Sequence, residues 1–157
     1  MTAKSKVRFF LFPVLFLAFN SCSKDKNDVI PYTYVNFTLN LYDPQFTNDL
    51  NPIFGSVLIN ANTNNWPYSG GFNDNGIIIF NGGDQFYAYD RTCPHDYATD
   101  GSSFKVVVVD QVYAECPSCH TKYGLTIGGS PLEGPGKYTL HNYRVISYSN
   151  SINVTNF

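Results

Sequence analysis

Short apolar runs, separated by glycine, asparagine, aspartate and proline, recur from Tyr32 onward and limit what this chain can fold into. These runs have the length of strands, and none carries the 3.6-residue period of an amphipathic helix. Apolar and polar residues alternate over residues 35–41, which predicts a strand with one face on the core. Residues 56–60 predict a second strand, whereas the proline-containing segment 42–55 has room for at most one helical turn. Residues 61–75 are rich in asparagine and glycine and predict a long loop.

Two β-hairpins are predicted next along the chain. Residues 76–89 form the first, with its turn in the Asn-Gly-Gly-Asp stretch 81–84. Residues 104–115 form the second, which turns at an Asp-Gln pair. The first hairpin leads towards Cys93, and the second is followed directly by Cys116. A cysteine therefore lies shortly after the second strand of each hairpin.

Length and composition agree with one sheet-rich domain. The chain of 157 residues has room for a single ordinary domain, which we place at residues 32–157. Aromatic residues make up 17% of the chain and charged residues only 14%, a balance typical of packed sheets rather than of exposed, charged helices. Residues 138–148 and 152–154 predict a closing pair of strands. We therefore expect an all-β fold.

Cysteine and histidine concentrate in two short segments, Cys93-Pro94-His95 and Cys116-Pro117-Ser118-Cys119-His120. Thiolates and imidazoles in this number suit iron–sulfur clusters and also zinc, and the residue types alone do not choose between them. In an exported protein Cys116 and Cys119 could instead form a disulfide or a thiol redox pair. A thioredoxin-like pair needs a helix after its first cysteine, whereas residues 123–129 predict a strand and a turn.

Both segments and their surroundings resemble the Rieske [2Fe-2S] family, whose two loops read Cys-x-His and Cys-x-x-His and each follow a β-hairpin. The resemblance covers roughly residues 76–157 and includes Gly134-Pro135-Gly136, which is similar to the proline-containing segment that covers the cluster in that family. It implies a Rieske-like β sandwich or small barrel with a two-loop subdomain that binds the cluster.

The resemblance also implies a ligand set. The residues at the ligand positions of the two loops are Cys93, His95, Cys116 and Cys119. The family has an aromatic residue four positions after its second histidine, and counting back from Tyr123 reaches Cys119, so a cysteine replaces that histidine. Some Rieske-like lipoproteins of Bacteroidetes-type bacteria resemble this chain in that exchange. Counting from the Gly134-Pro135 pair instead makes His120 the alternative fourth ligand.

Two further residues are assigned to the surroundings of the cluster by the same resemblance. Thr121 lies where the family often places a hydroxyl that donates to a cluster sulfur, and Pro135 belongs to the covering segment. The exchange of an imidazole for a thiolate adds one negative charge, which lowers the reduction potential.

The function that the resemblance implies is one-electron transfer or redox sensing with an unidentified redox protein as partner. No segment remains for a substrate or a second cofactor, so we expect an electron carrier rather than an enzyme by itself. The alternative is a lipid-anchored binding or structural module, in which a degenerate Rieske fold holds zinc or a Cys116–Cys119 disulfide.

The first 21 residues have the features of an export signal. Three basic residues precede the apolar run 9–19, which is too short to span a bilayer. Residues 18–22, Ala-Phe-Asn-Ser-Cys, resemble the lipobox of bacterial lipoproteins, which predicts a lipid on Cys22. Residues 22–31 then form a polar tether. We expect a protein of the cell envelope that is held on a bacterial membrane by this lipid.

The charge of the chain argues against nucleic acid as a partner. The formal net charge is −2, and a product that begins at Cys22 loses three basic residues and no acidic one, which leaves about −5. Such a surface repels phosphate backbones and anionic lipid headgroups.

Overall fold

Ten strands and two short helices form the part of the chain that the computed structural model describes, residues 29–63 and 67–157. The strands are β1 (Asn36–Asn40), β2 (Ser56–Ile59), β3 (Ile77–Asn81), β4 (Phe86–Asp90), β5 (Val107–Val109), β6 (Tyr113–Glu115), β7 (Lys122–Gly124), β8 (Ser130–Glu133), β9 (Asn142–Ser147) and β10 (Ser151–Thr155). The helices are α1 (Pro44–Leu50) and α2 (Pro94–Asp100), and 3-10 turns occur at Phe72–Asp74 and Leu125–Ile127. The predicted signal peptide, Cys22 and most of the predicted tether lie outside the described residues.

The strands form two antiparallel sheets. The larger sheet has the order β1-β10-β9-β4-β3-β2, and the smaller has the order β5-β6-β7-β8. The expected all-β architecture is therefore confirmed, and both predicted hairpins are present as β3–β4 and β5–β6. In the described ranges no helix is long and apolar enough to cross a membrane.

Strand β3 is buried on both faces, which explains why its sequence is apolar without interruption. Its side chains alternate between two clusters, which we call the base core and the loop core. The base core consists of Val35, Phe37, Leu39, Phe46, Leu50, Val57, Ile59, Ile77, Ile79, Ala88, Tyr143, Ile152 and Val154. The loop core consists of Ile78, Phe80, Tyr89, Cys93, Val106, Ala114, Cys116, Tyr123, Leu125 and Leu140. The loop core thus joins the larger sheet to the smaller one and contains two of the cysteines.

Helix α1 is longer than the sequence predicted. Instead of at most one turn, the segment forms a helix of seven residues, which is close to two turns. The side chain of Asp43 accepts a backbone N–H bond of 3.0 Å in the first turn, and Pro44 occupies the first helical position, where no N–H is needed. Phe46 and Leu50 lie four residues apart on one face and are buried in the base core.

A buried carboxylate fixes the end of β4. Asp90 is fully buried and accepts three hydrogen bonds. The donors are the backbone N–H groups of Phe72 and Thr92, at 2.7 and 2.8 Å, and the hydroxyl of Tyr143, at 2.7 Å. Burial raises the pKa of Tyr143, and the adjacent Asp90 raises it further. Because Asp90 lies three residues before Cys93, these bonds set the path of the chain into the first cysteine loop.

Replacing Tyr143 with phenylalanine is expected to lower the free energy of unfolding by about 1.5–3 kcal/mol, the range for a hydrogen bond to a charged group. The ring still fills the base core, and only the donor to Asp90 is lost. Urea denaturation followed by circular dichroism measures the difference. Tyr148 is 57% exposed and gives the matched control, since Tyr148→Phe should change stability by less than about 0.5 kcal/mol. Equally small effects of both substitutions would contradict the expectation.

Candidate metal centre

Three cysteine side chains meet where a loop of the larger sheet approaches a loop of the smaller one. Cys93 follows β4, whereas Cys116 and Cys119 lie in the turn between β6 and β7. The Sγ atoms of Cys93 and Cys119 are 3.6 Å apart. The three sulfur atoms and a carboxylate oxygen of Asp96 all lie within 4.8 Å of one another. The structure therefore brings together three of the four residues that the sequence resemblance assigned as ligands.

Helix α2 shapes the first loop, although the sequence patterns predicted no helix there. Pro94 occupies the first helical position directly after Cys93, and Gly101, with a φ of 80°, ends the helix in the left-handed conformation. The backbone N–H of Cys93 donates to the carbonyl of Phe104 at 2.8 Å. This cysteine is therefore held by the helix on one side and by the returning chain on the other.

Polar contacts behind the first loop hold its two ends together. The side-chain amide of Asn75 donates to the hydroxyl of Thr92 at 2.7 Å and to the carbonyl of Ser103 at 3.1 Å. The Nε of Arg91 donates to the carbonyl of Val106 at 3.0 Å. The bonds to Ser103 and Val106 link residues before the loop to residues after it, and they hold the chain on both sides of Cys93.

Because His95 and Asp96 are consecutive residues of helix α2, their side chains point in different directions. Consecutive residues of an α-helix point about 100° apart, so a helix that directs Asp96 at the sulfur atoms directs His95 elsewhere. Asp96 is 8% exposed and its Oδ2 lies 2.9 Å from the Sγ of Cys116, whereas His95 is half-buried and does not belong to the compact group of ligand atoms. The role of His95 stays a prediction. Asp96 was not among the ligands expected from the sequence, although a proline after Cys93 and a glycine seven residues later are the signals of a short helix.

The second loop is the tip of the β6–β7 hairpin. Strand pairing ends at Glu115 opposite Lys122, and the backbone N–H of Cys116 donates to the carbonyl of Thr121 at 3.0 Å. His120 has a φ of 57°, in the left-handed region, and its side chain is exposed. Its Nδ1 lies 3.4 Å from a carboxylate oxygen of Glu115 rather than near the sulfur atoms. The alternative fourth ligand is thus placed outside the compact group.

Thr121 connects the second loop to the segment 134–136. Its buried Oγ1 lies 3.2 Å from the Sγ of Cys119 and accepts the backbone N–H of Gly136 at 3.0 Å. A side chain at Gly136 would collide with Thr121, so the close approach requires glycine at this position. Pro135 itself is exposed. The contact that the covering segment makes beside Cys119 comes from its glycine backbone.

Burial favours the neutral form of Cys93 and Cys116 in the metal-free site. It raises the pKa of Cys93 to about 11, although the hydroxyl of Tyr123, at 3.3 Å from the sulfur, acts in the opposite direction. Burial also raises the pKa of Cys116, and the hydrogen bond to Asp96 adds to the effect, while backbone N–H groups of the same turn lower it. A metal ion reverses this balance, because a coordinating thiol is deprotonated outright.

Two alternatives to metal binding concern Cys116 and Cys119, a disulfide and a thioredoxin-like redox pair. Both residues are free thiols, as is Cys93. The Cys-x-x-Cys segment lies at a hairpin tip and continues into strand β7 and a 3-10 turn. It therefore lacks the helix that lowers the pKa of the first cysteine in thioredoxin-like proteins.

No protein-family model and no curated protein matches this chain. Among solved structures, the chain is similar to one from the complex of reduced oxygenase and oxidized ferredoxin in carbazole 1,9a-dioxygenase, with a TM-score of 0.51 and 17% sequence identity. The match covers 79% of this chain and 95% of that chain. At this identity the likeness concerns the fold alone, and the two-sheet architecture described above is one that a chain of that complex shares.

Proposed function

We propose that this chain is a one-electron carrier whose metal centre lies between the two cysteine loops. The observation that carries the proposal is the convergence of three cysteine sulfur atoms and one carboxylate oxygen, all within 4.8 Å of one another, at the junction of two sheets. Cys93 and Cys116 reach this point fully buried from different parts of the fold. Four potential ligands from separate parts of the sequence are thus held close together. Packing alone does not require this arrangement, whereas a metal site does.

The centre that we propose is an iron–sulfur cluster of the [2Fe-2S] type. Three soft thiolates, from Cys93, Cys116 and Cys119, fit such a group. Two independent observations support it: the sequence resemblance of both loops to the Rieske family, and the shared fold with a chain of a complex that contains a ferredoxin. The chemistry that a cluster supplies is the gain and loss of one electron, exchanged with a redox protein, without a protein acid or base.

The residues of this chain would adjust the potential of the centre in two directions. A thiolate at Cys119 in place of an imidazole adds negative charge and lowers the reduction potential. Hydrogen bonds to sulfur raise it. The backbone N–H of Asp96 lowers the pKa of Cys93, and the backbone N–H groups of Ser118 and Cys119 lower the pKa of Cys116, so they favour the thiolate forms. These N–H groups stabilise the negative charge of the thiolates.

Thr121 supplies a further donor to the site. A hydroxyl has one proton and two lone pairs, and the backbone N–H of Gly136 occupies one lone pair of Thr121 Oγ1. The hydroxyl proton can therefore be donated to Cys119, 3.2 Å away, once that residue is a thiolate, and the hydroxyl of Tyr123 is the competing acceptor.

We further propose that the protein works on the outer side of a bacterial inner membrane or on the outer membrane, held there by a lipid on Cys22. The basic start of the chain, the apolar run 9–19 and the lipobox-like residues 18–22 support this. The charge of about −5 after Cys22 makes a redox protein a better partner than nucleic acid.

A structural zinc site is a second candidate, favoured by the compactness of the group. Zinc–sulfur bonds of about 2.3 Å place the sulfur atoms of a tetrahedral site about 3.8 Å apart. The 3.6 Å between the sulfur atoms of Cys93 and Cys119 is close to that value, and all four ligand atoms fit within 4.8 Å. Such a site would join the two sheets without any redox chemistry.

Anaerobic purification of the full-length protein from membranes tests the proposed function. We expect a brown protein with about two irons and two sulfides per chain and an electron paramagnetic resonance signal after reduction. One zinc per chain in a colourless protein would overturn the electron-carrier function and support the second candidate. Protein without metal would overturn both.

A further inference from the structure

We infer that Asp96, and not His95, supplies the fourth ligand of the metal centre. The inference rests on the proposed function only in requiring that Cys93, Cys116 and Cys119 hold a metal. It concerns the composition of the ligand set, which becomes three thiolates and one carboxylate.

The carboxylate of Asp96 lies close to the sulfur atoms of all three cysteines. Asp96 Oδ2 lies 2.9 Å from the Sγ of Cys116, and the carboxylate lies within 4.8 Å of every sulfur atom of the group. At a tetrahedral metal with metal–sulfur bonds of about 2.3 Å and metal–oxygen bonds of about 2.1 Å, a ligand oxygen lies about 3.6 Å from each sulfur bound to the same metal atom. At a single ion this distance applies to all three sulfur atoms, and at one iron of a [2Fe-2S] cluster it applies to one of them. Asp96 therefore reaches ligand distance through shifts of about 1 Å. His95 would have to turn by about 100° around α2, which requires its first turn to unwind.

The two buried carboxylates among the described residues, Asp90 and Asp96, differ in their hydrogen-bond donors. Asp90 accepts hydrogen bonds from two backbone N–H groups and from the hydroxyl of Tyr143, which satisfy both of its oxygen atoms. The carboxylate of Asp96 accepts a hydrogen bond from the thiol of Cys116, which is a weak donor. Among residues 29–63 and 67–157, Asp96 takes part in no ion pair. A buried carboxylate is stabilised by a cation or by strong donors, and a metal ion bound by the cysteines would provide the cation.

The alternative explanation of Asp96 is that its side chain only stabilises helix α2. It is the third residue of that helix, and acidic side chains favour the first turn because the helix N-terminus carries partial positive charge. That role predicts an effect on the stability of the metal-free protein and no effect on the spectrum of a bound metal. The two explanations are therefore distinguished by spectroscopy of the loaded site.

Cobalt(II) binding to the reduced full-length chain under anaerobic conditions tests the inference. Thiolate-to-cobalt absorbance reports the number of bound cysteines, and competition with a chelator gives the affinity. We expect Asp96→Asn to lower the affinity at least about tenfold and to shift the visible cobalt bands, because loss even of a group that only orients a ligand costs 10–100-fold. The matched substitution on the same helix, His95→Asn, should leave both unchanged.

Asp96→Cys keeps the inference testable if Asp96→Asn folds poorly. A fourth thiolate in place of the carboxylate should raise the thiolate-to-cobalt absorbance by about one third, and His95→Cys should not raise it. A shift with the His95 substitutions and none with the Asp96 substitutions would overturn the inference while the proposed metal centre stands. Absence of cobalt–thiolate absorbance in the unsubstituted protein would overturn the inference, whereas the iron and sulfide content of the protein purified from membranes decides the proposed function separately.

Discussion

Replacing Cys116 with serine is expected to abolish metal binding while the fold survives. A serine hydroxyl stays protonated and cannot replace a soft thiolate ligand. It can, however, donate to the carboxylate of Asp96 as the thiol does at 2.9 Å, so no buried polar group is left without a partner. The affinity should fall by more than about 100-fold, because residues that merely orient a ligand already contribute 10–100-fold. Metal per chain after anaerobic gel filtration measures the loss.

Ser118→Ala is the matched control for this prediction. Ser118 lies between the two cysteines of the second loop, its side chain is exposed, and its backbone N–H, which contacts the sulfur of Cys116, is unchanged by the substitution. The alanine variant should therefore keep the metal content of the unsubstituted protein. Circular dichroism should show the same β-rich fold for both variants. Full metal content with serine at position 116 would mean that Cys116 is not a ligand.

The strands were predictable because their patterns are local. In β1 the buried residues Phe37 and Leu39 alternate with exposed polar residues, as expected for a strand with one face on a core. In β3 the continuous apolar run reflects burial on both faces, and the turn residues that follow it define the hairpin. Each of these features can be detected within a window of about ten residues.

The two helices were not predicted, because a helix is recognised only when its own pattern repeats within the segment. Both contain seven residues, which is too short for the 3.6-residue period to repeat. In α2 the buried residues are Pro94 and Asp96, neither of which marks an amphipathic helix. The evidence for this helix lies at its ends, in Pro94 and in the left-handed Gly101.

Helix α2 also limits how far the ligands of the site could be predicted from the sequence. A resemblance carries ligands over by their position in a motif, and Cys93-Pro94-His95 gives His95. Side-chain direction depends on local backbone conformation, and α2 directs Asp96 to the sulfur atoms. The second loop was more predictable, because a hairpin turn that begins at Cys116 returns Cys119 to the same end of the strands.

Pairing between distant parts of the chain was beyond the reach of the sequence patterns. Strand β1 pairs with β10, where Asn36 lies opposite Thr155, and no local signal specifies that partner. The junction of the two sheets at the loop core has the same origin, since residues from β3 and β7 meet there only in the folded state. The convergence of the cysteines depends on this junction. Local patterns did not predict the convergence, and the expectation came from the family resemblance instead.

Above pH 10 the protein is expected to lose stability steeply. Tyr89, Tyr123 and Tyr143 are buried, and burial raises the pKa of each above the ordinary value of 10.0. The unfolded chain releases these protons from about pH 10, whereas the folded chain retains them, so the folded state binds more protons and the free energy of unfolding falls as pH rises. Each tyrosine contributes at most about 1.4 kcal/mol per pH unit. Together they can remove a large part of an ordinary domain stability of about 5–15 kcal/mol within two pH units.

Tyr143→Phe separates the tyrosine effect from other alkaline effects, because comparison in one metal state cancels the contribution of the cysteines. At pH 7 the variant should be less stable by about 1.5–3 kcal/mol, since Asp90 loses a donor. Above pH 10 its stability should fall less steeply, by about 1.4 kcal/mol per pH unit, so the two stability curves converge within about 1–2 units. Tyr148→Phe should run parallel to the unsubstituted protein, because an exposed ring meets the same solvent in the folded and unfolded chain. Urea titrations between pH 7 and about pH 11.5 measure the curves. If Tyr143→Phe also runs parallel, ionisation of Tyr143 does not limit alkaline stability.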